Sequence, residues 1–337
     1  MAQRTLGVSR RRPPTPSPVF DSYWKFASLR QEIFHRRVRQ ELGPWTMDSV
    51  LNDHRFTNAY RAADRVSQFL IRHVAYCGDQ DPNEVVFRVL LFKLFNRIET
   101  WKLLDEVVGP LNARDFDVEM FDKVLSEAFA RGERLYSAAY IMPSAMPGHL
   151  RKHRSHLELL RTMIDDQLSD ALVATKSMQQ AYELLLTYPG IGPFLAYQLV
   201  TDLNYTCVLN FSEMDFVVPG PGARSGIRKC FTNAGDYSEV DIIRHMAERQ
   251  DEEFDRLGLK FETLWGRPLQ LIDCQNLFCE VDKYARIMHP EVEGIGTRNR
   301  IKQRFKPLST TFEVWFPPKW GINSYLPITT NVTGRLL

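Results

Sequence analysis

Leu184-Leu185-Leu186-Thr187-Tyr188-Pro189-Gly190-Ile191-Gly192-Pro193-Phe194-Leu195-Ala196 joins two helix-forming apolar runs through a connection that demands glycine, and its reading decides the fold. Gly190 and Gly192 can take backbone angles closed to other residues, and their bare amides can approach a phosphate at the start of the next helix. Pro193 suits the first helical position, because its fixed φ is already helical and its missing N–H would have had no intrahelical partner there. The pattern predicts a helix-hairpin-helix element over residues 178–204, a device that holds a nucleic-acid backbone, with Gly190, Gly192 and Phe194 as the DNA contacts. A plain turn between packed helices is the alternative.

Working outward, 337 residues with 44% hydrophobic and 25% charged side chains are ordinary for a globular chain with a sizeable core. No run of about eighteen apolar residues exists, and the basic N-terminus is not followed by a hydrophobic region, so no membrane partner and an intracellular protein are expected, cytoplasmic in a prokaryote or virus and nuclear in a eukaryote. The five cysteines are scattered and form no C-x-x-C pair, which argues against a disulfide framework and a zinc ribbon. A net charge of +2 does not identify a nucleic-acid binder. The local clusters are more informative: Arg10-Arg11-Arg12, Arg36-Arg37, Arg151-Lys152-His153-Arg154, Arg228-Lys229, and Arg298 through Lys306. Each alone is as well explained by a solvated face.

Residues 1–20, with the arginine run Arg10-Arg11-Arg12 followed by Pro13-Pro14-Thr15-Pro16-Ser17-Pro18, are expected to stay extended or disordered outside the fold. From residue 21 to 306 apolar residues recur at three- and four-residue intervals, which predicts one mainly α domain. Asp81-Pro82-Asn83-Glu84 marks a helix start, with Asp81 as cap and Glu84 at the capping-box position, and the helix is expected to run through Trp101. A helix so apolar is central and carries Asn96, Arg97, Glu99 and Thr100 inward, unless they face solvent at its end. A second helix is expected from His149 to about Leu172; its basic start opposes the helix dipole and would favour an external anion. Residues 307–337, rich in proline and aromatics, read as a non-helical extension packed back on the body.

Three constellations bear on chemistry. Glu213 and Asp215 lie two residues apart and precede Gly220-Pro221-Gly222-Ala223-Arg224, a turn opening a basic helix; amides at Gly222 and Ala223 with Arg224 and Arg228 would bind phosphate or pyrophosphate. No Walker lysine-serine pair occurs, so an ATP-binding P-loop is not supported. In Asp273-Cys274-Gln275-Asn276-Leu277-Phe278-Cys279-Glu280-Val281-Asp282-Lys283-Tyr284, a helix places Asn276, Glu280 and Lys283 on one stripe, fit for an amine-bearing or zwitterionic substrate or equally for an ordinary exposed charge pattern. No metal-ligand spacing is visible, and no cofactor is identified; magnesium would enter through a pyrophosphate substrate.

Asp215 follows Gly192 by 23 residues, an order that resembles the helix-hairpin-helix DNA glycosylases, in which a catalytic aspartate follows the hairpin. Phe194 stands where bifunctional members carry lysine, which disfavours a Schiff-base lyase, and no four-cysteine cluster pattern is present. Phe56-Thr57-Asn58-Ala59-Tyr60-Arg61-Ala62-Ala63-Asp64-Arg65-Val66, Leu94-Phe95-Asn96-Arg97-Ile98-Glu99-Thr100-Trp101, Ala138-Ala139-Tyr140-Ile141, the hairpin, the Gly220–Ala223 turn and Cys279–Tyr284 together resemble the alpha-glutamyl/putrescinyl thymine pyrophosphorylases. That family is also recognised as the helical domain joined to 5-hydroxymethyluracil DNA kinases, and the resemblance runs from about Asp53 to Tyr284.

The resemblance implies a mainly α, helix-hairpin-helix glycosylase-like fold and DNA base hypermodification. An amine or amino acid would displace phosphate or pyrophosphate from an activated 5-hydroxymethyluracil in DNA, with activation by a separate 5-hydroxymethyluracil DNA kinase. Reaction at the exocyclic methylene needs a base extruded from the duplex or in a single strand. Asp215 or Glu280, with Glu213 third and Lys283 beside them, would be catalytic, and Tyr60, Arg61, Asn96, Arg97 and Asn276 would line the substrate pocket. The alternatives are a monofunctional glycosylase removing a modified pyrimidine and a non-catalytic helix-hairpin-helix DNA-binding protein.

Overall fold

The protein, seen in a computed structural model, is described over residues 11–139, 142–145, 148, 151–295, 300–305 and 313–327. Arg10, Tyr140, Ile141, His149, Arg298 and Lys306 lie outside these residues. Fourteen α-helices and one two-stranded sheet occur among the described residues, so the chain is mainly α as expected. No helix among them is long and apolar enough to cross a membrane. The chain falls into two compact units, Met1–Arg61 with Pro219–Phe312, and Ala62–Val218 with Glu313–Leu337. The division arises because the first long helix finds its apolar partners nearly two hundred residues downstream.

In the first unit α1 (Pro18–Val38) starts at Ser17, whose hydroxyl accepts the Val19 N–H at 3.1 Å. Residues 11–20, expected outside the fold, are part of it. Thr15–Pro16 (β1) pairs antiparallel with Phe231–Asn233 (β2), and Arg11 and Arg12 reach Asp241 and Asp236 at 2.7 and 2.9 Å. A proline-rich segment can serve as an edge strand because it gives up a donor that an edge does not need. After the short α2 (Ser49–Asp53) the unit resumes at α11 (Pro221–Cys230), α12 (Glu239–Glu248), α13 (Gln250–Arg256) and α14 (Leu271–Met288). A capping box starts α14, with Asp273 accepting the Gln270 N–H at 3.0 Å. α11 lies so close to α14 that a Cβ on Gly226 would stand 2.0 Å from the Phe278 carbonyl oxygen. The core is aromatic: Tyr23 meets Phe278 at 4.8 Å, Trp24 meets Phe254 at 5.1 Å, and Phe254 stacks on Phe261 at 4.2 Å.

The second unit opens with α3 (Arg65–Phe69), which runs directly into a π-helical turn at Leu70–Ala75. Its centre is α4 (Pro82–Phe95), started as predicted by Asp81, which accepts the Asn83 N–H at 2.9 Å. Glu84 does not complete a capping box there; it accepts the Ala113 N–H at 2.6 Å instead. The helix expected to run through Trp101 breaks at Asn96, which is left-handed (φ 49°), and resumes as α5 (Ile98–Val108). Asparagine tolerates that conformation, and here the Lys93 ammonium holds its side-chain oxygen at 2.8 Å. Lys93 also meets Asp202 at 3.0 Å, and both side chains are buried. α6 (Val118–Ala130) precedes α7 (Lys152–Asp165), and a left-handed Gln167 separates α7 from α8 (Leu168–Ala174), so the second long helix is also two. The basic start of α7 has internal partners where an external anion was expected: Arg154 pairs with Glu119 and Glu158 at 2.5 and 2.7 Å, and Lys152 sits 4.2 Å above the Tyr136 ring.

α9 (Met178–Leu186) and α10 (Pro193–Leu203) flank the glycine connection and pack on each other. Residues 313–327 lie on this same unit. The Trp315 N–H donates to Gln68 at 2.7 Å, and the Lys319 ammonium donates to the carbonyls of Asn204, Thr206 and Leu209 at 2.6, 3.1 and 2.6 Å, where the chain leaves α10. A cation at a helix C-terminus is favoured by the dipole as well as by these orphan acceptors.

Candidate functional site

The predicted site residues divide between the two units. Tyr60, Arg61, Gly222, Ala223, Arg224, Arg228, Asn276, Glu280 and Lys283 belong to the first; Asn96, Arg97, Gly190, Gly192, Phe194, Glu213 and Asp215 belong to the second.

In the first unit α14 organises the site. Glu280 is buried, and its Oε2 accepts the Thr57 N–H at 3.0 Å and the Lys283 ammonium at 2.6 Å. Lys283 Nζ also stands 5.4 Å from the centre of the Phe56 ring, so a carboxylate and an aromatic face together hold an alkylammonium head. Two helical turns towards the N-terminus, Asp273 accepts the Arg61 N–H at 2.8 Å, and Arg30 donates to the Thr57 carbonyl and to Asn58, each at 2.9 Å. The Phe56–Arg61 segment is therefore fixed to α14 through its backbone by two carboxylates. Thr57 Oγ1, on the segment that Glu280 holds, is buried with no hydrogen-bond partner among the described residues; Gln275 Oε1 is likewise unpartnered, but on the side of α14 where its amide nitrogen meets Cys279 Sγ at 3.4 Å. A buried orphan acceptor or hydroxyl costs free energy unless something fills its need. Asn276 is half-buried on α14, one turn before Glu280.

Tyr60 is an internal strut. Its hydroxyl donates to the Arg267 carbonyl at 2.6 Å and accepts the Leu264 N–H at 3.3 Å, and burial pushes its acidity well out of the ordinary phenol range. Arg61 is likewise buried.

At the start of α11 no side chain caps the helix. Gly222 faces α14, where a Cβ would come 3.0 Å from Cys279 Sγ, and Ala223 is buried. Arg224 and Arg228 are exposed one turn apart; Arg224 pairs with Glu239 at 3.2 Å, and Arg228 has no carboxylate partner among the described residues. Deeper on the same helix Ser225 donates to Asp282 at 2.7 Å and Lys229 approaches Asp282 at 3.2 Å. Burial alone would raise the Asp282 pKa, but the hydrogen bonds from Arg286 and Ser225 and the charges of Arg286 and Lys229 bring it below the usual carboxylate value. This cluster was not read from the sequence. Its signal is the four-residue spacing of Ser225 and Lys229 on α11 and of Asp282 and Arg286 on α14, which means little until the two helices are known to pack.

In the second unit Gly190 adopts φ +75°, and a Cβ there would come 2.7 Å from the Ala145 Cα, so both conformation and space require glycine. Gly192 caps α10 with open space around its Cα, and Phe194 is half-buried on the first turn. The chain after α10 returns along the two hairpin helices. Asn204 brackets Phe211, accepting its N–H at 2.9 Å and donating to its carbonyl at 3.0 Å, and Phe216 meets Tyr182 at 5.0 Å and Tyr197 at 6.0 Å. Between these two anchors Glu213 is buried and Asp215 is exposed. Asn96 is committed to the Lys93–Asp202 pair, whereas Arg97 is half-buried, bonded to the Arg134 carbonyl and paired with Glu99 at 3.2 Å. No group of three or more His, Cys, Asp or Glu side chains able to hold a metal ion is gathered among the described residues.

No solved structure matches this one. The 5-hmdU DNA kinase of Bacillus phage SP10 is 30% identical over 301 residues, covering 82% of this chain and 46% of that protein. The chain thus spans about half the length of this relative. The family described as "5-hmdU DNA kinase, helical domain" matches residues 17–294, a stretch that contains both the α14 carboxylate site and the glycine hairpin. The chain belongs to the family of 5-hmdU DNA kinase helical domains.

Proposed function

We propose that this protein transfers an amine or amino acid onto an activated 5-hydroxymethyluracil in DNA. The observation that carries the proposal is the buried Glu280 carboxylate holding the Lys283 ammonium at 2.6 Å beside the Phe56 ring. A site that already accommodates an alkylammonium has the chemistry to bind the head of an incoming amine and to take its proton, since only the free amine attacks. The orphaned Thr57 Oγ1, next to the amide that Glu280 accepts, would supply a further polar contact for such a ligand. In the reaction the amine nitrogen forms a bond to the exocyclic methylene carbon, the carbon–oxygen bond to phosphate or pyrophosphate breaks, and the released proton passes to a carboxylate. Arg228 and Arg224 on the uncapped start of α11 would neutralise the departing anion, with any magnesium arriving on that group. Asp215, exposed on the segment anchored to α9 and α10, is the second candidate base, and the glycine hairpin would hold the DNA backbone. The name of the phage relative supports hydroxymethyluracil DNA as the substrate class; the activating kinase would be a separate partner.

The test is nucleoside mass spectrometry on DNA carrying 5-pyrophosphomethyluracil, incubated with the protein and a mixture of amines and amino acids. The expected product is a nucleoside heavier by one amine, formed at least a hundredfold more slowly by Glu280→Gln. Unchanged transfer by Glu280→Gln and Asp215→Asn, singly and together, would refute the assignment of the base. Release of free base with an abasic site would instead establish glycosylase chemistry.

A further inference from the structure

The most exposed large apolar side chains of the described residues are Leu42 and Met47, at 95% and 93% of full exposure, five residues apart on the loop between α1 and α2. Scattered surface leucines need no explanation, but a pair held out by a braced loop does. The brace is specific. Trp45 Nε1 donates to the Glu41 carbonyl at 2.8 Å, the Arg37 guanidinium lies 5.4 Å from the Trp45 ring, and Asn52 donates to the Thr46 carbonyl at 2.9 Å. Asp48, at the end of the loop, accepts the Tyr284 hydroxyl at 2.6 Å, which ties the loop to α14 one turn beyond Glu280.

Charge completes the picture. Residues 300–305 run alongside: Phe305 meets Trp45 at 6.5 Å, and the Arg55 N–H donates to the Gln303 carbonyl at 3.0 Å. Two basic clusters far apart in sequence thus meet around the loop. Arg36, Arg39 and Arg304 are balanced by Glu32, Glu262 and Asp53, whereas Arg55, Arg300 and Lys302 are exposed and have no carboxylate partner among the described residues.

We propose that the Leu42–Met47 loop is a DNA-contacting wedge, its two aliphatic side chains entering the base stack while Arg55, Arg300 and Lys302 meet the phosphates. Aliphatic side chains prised between bases within a cationic rim are a recurrent solution for unstacking a duplex, and opening the helix at this point would deliver a base to the face of α14 that carries Glu280. A protein partner would favour a contiguous apolar patch over two isolated tips beside the exposed cations Arg55, Arg300 and Lys302. This inference rests on the reading of the chain as a DNA-base-modifying protein.

The experiment uses the full chain and a duplex with 2-aminopurine beside 5-hydroxymethyluracil, reading binding by anisotropy and unstacking by fluorescence. Wild type is expected to raise the fluorescence. Leu42→Ser/Met47→Ser is expected to bind within about threefold of wild type yet lose most of that rise, with an unchanged thermal midpoint, since both side chains lie in solvent. Arg55→Gln/Lys302→Gln is expected to weaken binding and reduce the slope of log K against log salt by about 2. A full fluorescence rise with the serine variant, or binding by wild type without any rise, overturns the proposal. Amine transfer to single-stranded activated DNA separates the two readings: it persists in the serine variant if only duplex opening is lost, and its absence in wild type means that the transferase reading itself has failed. Absence of DNA binding by wild type overturns both.

Discussion

The buried pair between Lys93 on α4 and Asp202 on α10 ties the second hairpin helix to the centre of its unit, and removing one partner should be far worse than removing both. The charged atoms are 3.0 Å apart with side chains only 3% and 1% exposed. At an effective dielectric of about 20 their attraction is about 5–6 kcal/mol, against a desolvation cost of several kcal/mol for each ion, so the net worth of the intact pair is small. Lys93→Met removes the ammonium from beside a buried carboxylate and should cost about 3–5 kcal/mol. It also releases the side chain of the left-handed Asn96. Lys93→Met/Asp202→Leu, which removes both charges and restores apolar volume, should lie within about 2 kcal/mol of wild type. Urea unfolding followed at several wavelengths, fitted to two transitions because the chain has two units, gives the four corners of the cycle. The reasoning is refuted if Lys93→Met costs less than about 1 kcal/mol, or if the double variant is as damaged as the sum of the singles.

Two further outcomes follow from particular contacts. His156 accepts the Tyr136 hydroxyl at Nδ1 (2.7 Å) and donates from Nε2 to the Pro143 carbonyl (2.8 Å), and burial holds its pKa down to about 4 from the usual 6.5. The unfolded chain therefore binds the proton more readily, so the contribution is whole above pH 6.5 and is lost as pH falls towards 4, by about 3 kcal/mol. Urea midpoints across that range should fall more steeply for wild type than for His156→Gln. Gly226→Ala should cost more than 3 kcal/mol in the same assay because its Cβ would meet the Phe278 carbonyl at 2.0 Å; Gly192→Ala, with open space around it, should change stability by less than about 1 kcal/mol and report on DNA affinity alone. Equal destabilisation by the two alanines would contradict the packing described for α11 and α14.

Much of this molecule was legible in its sequence. The helical class followed from apolar periodicity, the start of α4 from Asp81 and Pro82, and the two-helix connection from Gly190 and Gly192, because all of these are local consequences of backbone geometry and burial. Asn276, Glu280 and Lys283 were placed on one stripe by the helical repeat alone, and the ordered blocks from Phe56 to Tyr284 carried the family. Other features were decided by tertiary structure. That residues 11–20 pair with a strand, that α4 stops at Asn96, and that α1 is buried where it is all depend on partners remote in the chain: β2 for the proline-rich segment, Asp202 for Lys93, α11 and α14 for α1. The same holds for chemistry. Sequence supplied a glutamate and a lysine at three-residue spacing, but only packing buried Glu280, set it on the Thr57 amide and brought the Phe56 ring over Lys283, since burial and non-local hydrogen bonds are properties of the folded surface and not of the order of residues.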